Sequence, residues 1–334
     1  MFSLAFGVAT KNSHGDWLEV YYPRPLINPD QAFVSMISSV LGYSQGNRVI
    51  EVNDEMTVKL SEIAEMEYLA VLRESVKPIV ATLLEKDSSP KTVPEAYLKL
   101  HLLSHRLVHP NEVNLEGLFG VLPNVAWTDI GAIDPEELDL VQLNARINGR
   151  IVEVSSVDKF PKMTNYVVPS GVRIAHSARV RLGAYLGEGT TVMHEGFVNF
   201  NAGAMGPNMV EGRISQGVTI GSGTDIGGSA STAGTLSGGG NTLITIGQEC
   251  LISANAGTGI PLGDRCTIEA GLYITPGTLV QVMDERKKNI AVVKARDLAG
   301  HSDMLFLRNS QTGVVECRSN KKAIELNKML HTNK

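Results

Sequence analysis

Along the stretch from position 174 to position 280, an aliphatic side chain recurs every sixth residue. Ile174, Val180, Leu186, Val192 and Val198 form the first run. Ile214, Ile220 and Ile226 form a second, Ile246 and Ile252 a third, and Leu262, Ile268, Ile274 and Val280 a fourth. The next residue is often small, as at Ala175, Gly187, Gly221, Gly227, Gly247 and Gly263. Three residues further on lies another compact side chain, such as Ala178, Thr190, Thr224 or Ala230. A period of six is neither helical nor simple strand alternation. It is the hexapeptide repeat of a β-helix. Each coil has three short strands, and one aliphatic side chain per strand points to the axis. The small residue that follows turns the corner without a Cβ clash. A single coil cannot bury its own face, whereas stacked coils bury a continuous aliphatic column. Ordinary antiparallel strands joined by glycine turns would not hold one spacing over five consecutive positions.

The repeat loses phase over 201–212 and 231–241, which predicts two loops leaving the coil. The second contains TLSGGGN, which has nothing to pack into a core. Upstream, residues 1–110 read as a mixed α/β domain. Strands are expected at 4–8 and 17–22, and helices at 30–41, at 55–84 with an interruption at Pro78, and at 94–107. Pro94 at the start of the last helix suits a first-turn position, and Tyr97, Leu98, Leu100, Leu102, Leu103 and Leu107 supply its apolar content. Residues 111–170 are transitional, with a strand at 151–157 and a loop, VDKFPKM, at 157–163. The repeat then occupies 171–283. Strand-like pieces at 305–307 and 313–317 fall in the final segment, 284–334, and are expected to cap the open end of the coil stack. The expected class is mainly β: a parallel β-helix with an N-terminal α/β domain and a short C-terminal β segment.

The length of 334 residues sets a prior of about two domains. With 43% hydrophobic and 19% charged residues, the chain has the material for a real core. Most of its 33 glycines lie between 183 and 277, which concentrates turns in the repeat. A net charge of −5 favours neither nucleic acid nor a membrane surface as partner, so an anionic ligand needs a local cationic site. Lys287, Lys288, Lys294, Arg296 and Arg308 gather such charge near the C-terminus. Cys250, Cys266 and Cys317 are odd in number and show no CxxC spacing. That argues against a disulfide framework or zinc knuckle and fits a reducing cytoplasm. The opening MFSLAFGVAT lacks a basic region and a cleavage pattern, so it reads as a strand and not as a signal peptide. No run reaches the ~18 apolar residues of a membrane helix. His101 and His105 sit four apart on a helix, but leucines surround them and no carboxylate stands at a matching offset, so they read as packing residues. Cys250 and Cys266 read as buried small hydrophobes.

Several segments together are more specific than the repeat. They are AYLKLHLLSHRLV (96–108), NVAWT (124–128), VDKFPKM (157–163), YVVPSGVRIA (166–175) and TTVMHEGFVNFNAG (190–203). They continue with MVEGRIS (209–215), GTLSGGGN (234–241), IEAGLYIT (268–275), VKARDLAG (293–300) and RNS (308–310). In these the chain resembles the tetrahydrodipicolinate N-succinyltransferases of bacterial lysine biosynthesis, in their longer branch, closely over 94–330 and more loosely before. The resemblance implies a left-handed coil, a homotrimer, and transfer of a succinyl group from succinyl-CoA to the amino group of the substrate derived from tetrahydrodipicolinate.

It also implies roles for particular residues. Glu211, in MVEGRIS, matches the family's catalytic glutamate, described as forming an acyl anhydride. A carboxylate there could equally act as general base on the attacking amine, and taken alone it is a corner glutamate of the kind that faces solvent. Arg213, two residues on, shares its strand face and can grip a substrate carboxylate or pair with Glu211 itself. Gly228, Ser231, Ala254, Glu269, Ala270 and Gly277 match positions that line the substrate and CoA sites, although each glycine alone would serve a corner equally well. Lys294 matches a CoA-contacting position, and the nearby Arg296 suits the same phosphates. Glu195 matches a magnesium ligand at the trimer axis, while the family's second carboxylate position holds Ala178 here. Rival readings are another hexapeptide-repeat acyltransferase, a β-helical carbonic anhydrase and a scaffold without catalysis. The anhydrase needs three histidines on zinc, and the repeat offers His176 and His194.

Overall fold

A computed structural model describes residues 1–63, 67–234, 243–284 and 286–319. The chain forms two compact units, one of residues 1–102, 112–161 and 165–167, the other of residues 103–111, 162–164 and 168–334.

The first unit is built on an antiparallel sheet in the order Trp17–Tyr21, Ser3–Lys11, Ile79–Leu84 and Arg48–Val52, with Leu26–Ile27 also paired to Ser3–Lys11. Leu4, Phe6, Ala81 and Leu83 from the sheet meet Ile37, Leu41, Leu60 and Leu69 from the helices in one core. The helix Gln31–Leu41 starts where Asp30 accepts hydrogen bonds from the Ala32 and Phe33 amides, and it stops at Gly42, whose φ of 63° is left-handed. Of the long helix expected over 55–84, the described residues form Asp54–Ile63 and Glu67–Leu72 as helix, while Ile79–Leu84 is a strand. Pro78 cannot continue a helix. IVATLL is a continuous apolar run because it lies between two sheet neighbours and is buried along almost its whole length. His101 is fully buried and packs as expected: its Nδ1 meets the Tyr97 carbonyl at 2.7 Å and its Nε2 accepts from the Tyr22 amide at 3.2 Å.

The transitional stretch holds more structure than its sequence suggests. Val125–Thr128 pairs on one side with Gly131–Ile133 and on the other with Val154–Asp158. A helix, Leu138–Ile147, packs Leu138, Val141 and Ala145 onto Ala126, Ile133 and Val152.

In the second unit the chain visits three parallel sheets in a fixed cyclic order, which makes it a parallel coil. Face I stacks Thr190–Val192, Asn208–Val210, Asp225–Ile226, Leu251–Ile252 and Thr267–Ile268. Face II stacks Phe197–Val198, Arg213–Ile214, Ser231–Thr232, Gly257–Thr258 and Tyr273–Ile274. Face III stacks Tyr185–Leu186, Gly203–Ala204, Thr219–Ile220 and Thr245–Ile246. The inward residues form three ladders, for example Val192, Val210, Ile226, Ile252 and Ile268, and these five have no exposed surface. Thr232 and Thr258 occupy inward positions of face II because their hydroxyls are satisfied, by the Arg213 and Ile260 carbonyls respectively.

The loop expected over 201–212 is absent. Gly203–Ala204 and Asn208–Val210 are regular strands of faces III and I. The true irregularity is narrower: Val210 to the next inward residue, Ile214, is four residues and not six. The second expected loop begins with a regular strand, Ser231–Thr232, and its 235–241 portion lies outside the described residues. The pieces expected as strands at 305–307 and 313–317 are strands, at Met304–Arg308 and Val315–Ser319. Met304–Arg308 adds to face I beside Thr267–Ile268, Val315–Ser319 pairs with it antiparallel, and the hairpin Leu279–Met283 with Asn289–Lys294 follows in the same sheet. All three cysteines are buried and free. Among the described residues no helix is long and apolar enough to cross a membrane.

Candidate active site

Between faces I and II each coil turns a corner, and the corners stack into a column: 193–196, 211–212, 227–230, 253–256 and 269–272. Glu211, Gly228, Ala254, Glu269 and Ala270 all stand on this column, so the coil gathers five residues spread over 60 positions of sequence. Arg213 and Ser231 open the face II strands immediately beyond it, and the Arg213 Nε donates to the Ser231 Oγ at 3.1 Å. Gly277 follows the last face II strand. Lys294 ends the strand Asn289–Lys294, where it pairs with Leu279, and Arg296 donates to the Pro276 carbonyl from both its backbone amide and its Nε. These three residues therefore form a group just beyond the last face II strand, on the edge of face II opposite the column.

Most corners of the column have four residues, and the corner of Glu211 has two, Glu211 and Gly212. Both amides donate to the Ile226 carbonyl of the next coil, at 2.8 and 3.1 Å. Gly212 is required by this compression, since a Cβ there would run into the Ala230 carbonyl and lie 2.7 Å from the Gly227 carbonyl. The Glu211 side chain is half-buried, and its carboxylate makes no hydrogen bond or ion pair among the described residues. Its Oε2 lies over Gly228, 3.7 Å from where a Cβ would stand. Arg213 turns toward Ser231 and makes no ion pair with Glu211, so the carboxylate is not neutralised from its own strand. Glu269, in contrast, is engaged: its Oε2 accepts from the Arg308 amide at 2.8 Å.

The two missing residues leave a recess. A cavity of about 470 Å³ opens there, walled by Glu195 on the preceding corner, Ser229 and Ala230 on the following one, Gly212 between them, and Arg179, Phe197 and Arg213 along face II. Arg179 and Phe197 were not among the candidates drawn from the sequence. Their register could have found them: each immediately precedes an inward valine of face II, as Arg213 precedes Ile214.

The expected magnesium site does not fit the residues present. Ala178 offers no donor, and Glu195 shares its cavity with two guanidinium groups, an unfavourable setting for a divalent cation. Among the described residues no group of three or more His, Cys, Asp or Glu side chains could hold a metal ion. His176 and His194 are both exposed.

Comparison with known proteins bears on the whole chain. A protein from Pseudomonas paraeruginosa named 2,3,4,5-tetrahydropyridine-2,6-dicarboxylate N-succinyltransferase is 61% identical over 99% of this chain and 98% of its own. The chain belongs to the tetrahydrodipicolinate N-succinyltransferase family. A Vibrio cholerae member of the same name is 50% identical over 99% of both chains. The crystal structure of a putative 2,3,4,5-tetrahydropyridine-2-carboxylate N-succinyltransferase from Campylobacter jejuni superposes with a TM-score of 0.88 at 29% identity, covering 97% of this chain and 93% of that one. The model of the family's middle region, tetrahydrodipicolinate N-succinyltransferase middle, matches residues 122–162, which hold the small antiparallel sheet and its helix. The model called hexapeptide repeat of succinyl-transferase matches residues 243–276, the coils that carry Ala254, Glu269 and Ala270. Glu211 lies between these two segments, in a part of the column that the full-length N-succinyltransferase relatives cover.

Proposed function

We propose that the protein transfers the succinyl group of succinyl-CoA to the amino group of tetrahydrodipicolinate in its acyclic amino-oxopimelate form, giving N-succinyl-2-amino-6-oxopimelate and CoA in diaminopimelate and lysine biosynthesis. The observation that carries this reading is the position of Glu211. Its unpaired carboxylate lies over Gly228, in a run of small residues continued by Ala254 and Ala270, and the next residue, Gly212, lines a cation-walled cavity. The run suits an extended pantetheine arm, and Lys294 and Arg296, both exposed beyond the last face II strand, suit the phosphates of CoA. The thioester would then lie beside Glu211.

Two routes use the same geometry. As general base, Glu211 takes the proton of the amine as it attacks the thioester carbonyl. The tetrahedral oxyanion collapses, and the CoA thiolate leaves. As nucleophile, the carboxylate attacks the thioester, expels the thiolate and forms a mixed anhydride, which the amine then opens. An oxyanion forms in either route, and its donors lie outside the Glu211–Gly212 corner, whose two amides are held by the Ile226 carbonyl. We read the coil as left-handed and the working form as a homotrimer in the cytoplasm, with the column facing a cleft between neighbours. No step is assigned to magnesium.

The test is thiol release from succinyl-CoA with tetrahydrodipicolinate, comparing wild type with Glu211→Ala and running acetyl-CoA in parallel. Release should need the acceptor, prefer succinyl-CoA and fall by about 10²-fold or more in the variant. A burst of thiol before acceptor is added selects the anhydride route. Absence of release with either donor would remove the assignment, and absence of CoA binding as well would favour a scaffold.

A further inference from the structure

A second cavity, of about 580 Å³, is lined by residues of the first unit alone. Four ionisable side chains line it, Lys91, Lys159, Asp16 and Asp134, so its walls sum to zero charge. Opposite charges that share a cavity are expected to pair. Among the described residues none of these four makes an ion pair. Lys159 is half-buried, and its Nζ donates to the Leu122 carbonyl at 2.5 Å, which leaves two of its three N–H donors unused among the described residues. Opposite in charge, Asp134 and Asp16 both accept from one amide nitrogen, Asn12 Nδ2, at 2.8 and 3.4 Å. That neutral amide holds two carboxylates together with no cation between them. The register explains why the two kinds of charge stay apart. Val154–Asp158 and Gly131–Ile133 pair with opposite edges of Val125–Thr128, Asp158 facing Val125 and Ile133 facing Ala126. Lys159 and Asp134 follow directly on those two strands, so their backbones stand about two strand spacings apart, roughly 10 Å. The other walls include Leu18, Val93, Leu122 and Pro123, which are apolar, and the half-buried Trp17.

We infer that this cavity binds a free α-amino acid with an aliphatic side chain, in its zwitterionic form. Lys159 takes the carboxylate, with the exposed Lys91 as a second cation, Asp134 and Asp16 take the ammonium, and the apolar wall takes the side chain. A simple anion would leave the aspartate pair uncompensated, and a simple amine would leave Lys159 so. A zwitterion answers both and keeps the cavity neutral. Binding there is independent of the reading of Glu211, since Glu211 belongs to the second unit. Leu122, Pro123, Asp134 and Lys159 fall within 122–162, the segment matched by the family's middle-region model. The site also gives a role to the first lysine of VDKFPKM, which acyl transfer leaves idle.

The experiment titrates the full chain with L-leucine, followed by tryptophan emission and by calorimetry. Trp17 and Trp127 are the chain's two tryptophans, and Trp17 is the one that lines the cavity. Leucine should give a saturable change in emission that Trp17→Phe abolishes, with the calorimetric binding retained. Two analogues separate the charges: 4-methylpentanoate lacks the amine, and 3-methylbutylamine lacks the carboxylate. Each should bind about 10- to 100-fold more weakly than leucine. Lys159→Met should bring leucine down to the level of the amine. Asp16→Asn, a change in an exposed bend, should weaken leucine and leave 4-methylpentanoate no weaker. No saturable binding of leucine, equal binding of leucine and 4-methylpentanoate, or leucine binding that is unweakened in both Lys159→Met and Asp16→Asn would overturn the assignment. Thiol release from succinyl-CoA is read on the same protein, so a failure of this site with release intact is distinct from a failure of the proposed function.

Discussion

Gly212 and Gly277 both lie along the proposed substrate path, yet their surroundings are opposite. A methyl group at Gly212 collides with two carbonyls of the next coil, and neither is the end of a flexible side chain that could move aside. A methyl group at Gly277 meets nothing within 4 Å. Gly212→Ala should therefore destabilise the coil by about 1–3 kcal/mol, the usual range for overpacking, and lower the thermal midpoint. Gly277→Ala should leave the midpoint unchanged, so a raised KM for succinyl-CoA in that variant would report directly on the pantetheine path. Circular dichroism melts and donor kinetics on the two proteins check this. At this scale the sequence was informative about residue types and less so about their states. MVEGRIS marked Glu211 and Arg213 as chemistry-bearing residues. That Arg213 would turn to Ser231 and leave Glu211 unpaired depends on an atom 18 residues away, brought close only by the coil.

At the scale of elements, a six-residue period was readable wherever the inward residue was aliphatic. It was lost where the inward residue was Ala204, Thr232 or Thr258, because small and hydroxylated side chains do not register as hydrophobic. The Asn201–Gly212 stretch thus reads as a loop in the sequence, although only its last two residues depart from phase. The strand after Pro78 was hidden for a related reason: a strand buried on both faces has no alternation. The cap offers a prediction of its own. Glu316 lies in the strand Val315–Ser319 and is nearly inaccessible. The hydrogen bond from the Asn309 amide, at 2.8 Å, and the nearby Arg318 together outweigh burial and hold its carboxyl below the usual range. A carboxyl with a lowered folded-state pKa stabilises the fold fully above its unfolded value, about 4.3, and loses that contribution as pH falls through the folded value. The thermal midpoint should accordingly fall as pH drops below about 5, and Glu316→Gln should flatten part of that slope in a pH series of melts.

For the whole molecule, the site arises from a change in coil length and needs no added domain. Inserting two residues, Ala-Gly, between Glu211 and Gly212 restores a regular corner and fills the recess. The protein should keep its far-UV spectrum and its elution volume while acceptor-dependent thiol release falls by about 10²-fold or more, because substrate alignment supplies much of the rate. A variant that stayed active would show that the shortened corner is not needed for the reaction. The contraction also bears on how such a chain can be edited. Steps between successive inward residues are six, save three: 210 to 214 is four, 232 to 246 is fourteen, and 258 to 262 is four. All three departures are even. All three fall between strands, so the strands before and after each of them keep their inward residues inward. Room for chemistry is made between the rungs, and the rungs themselves are left in register.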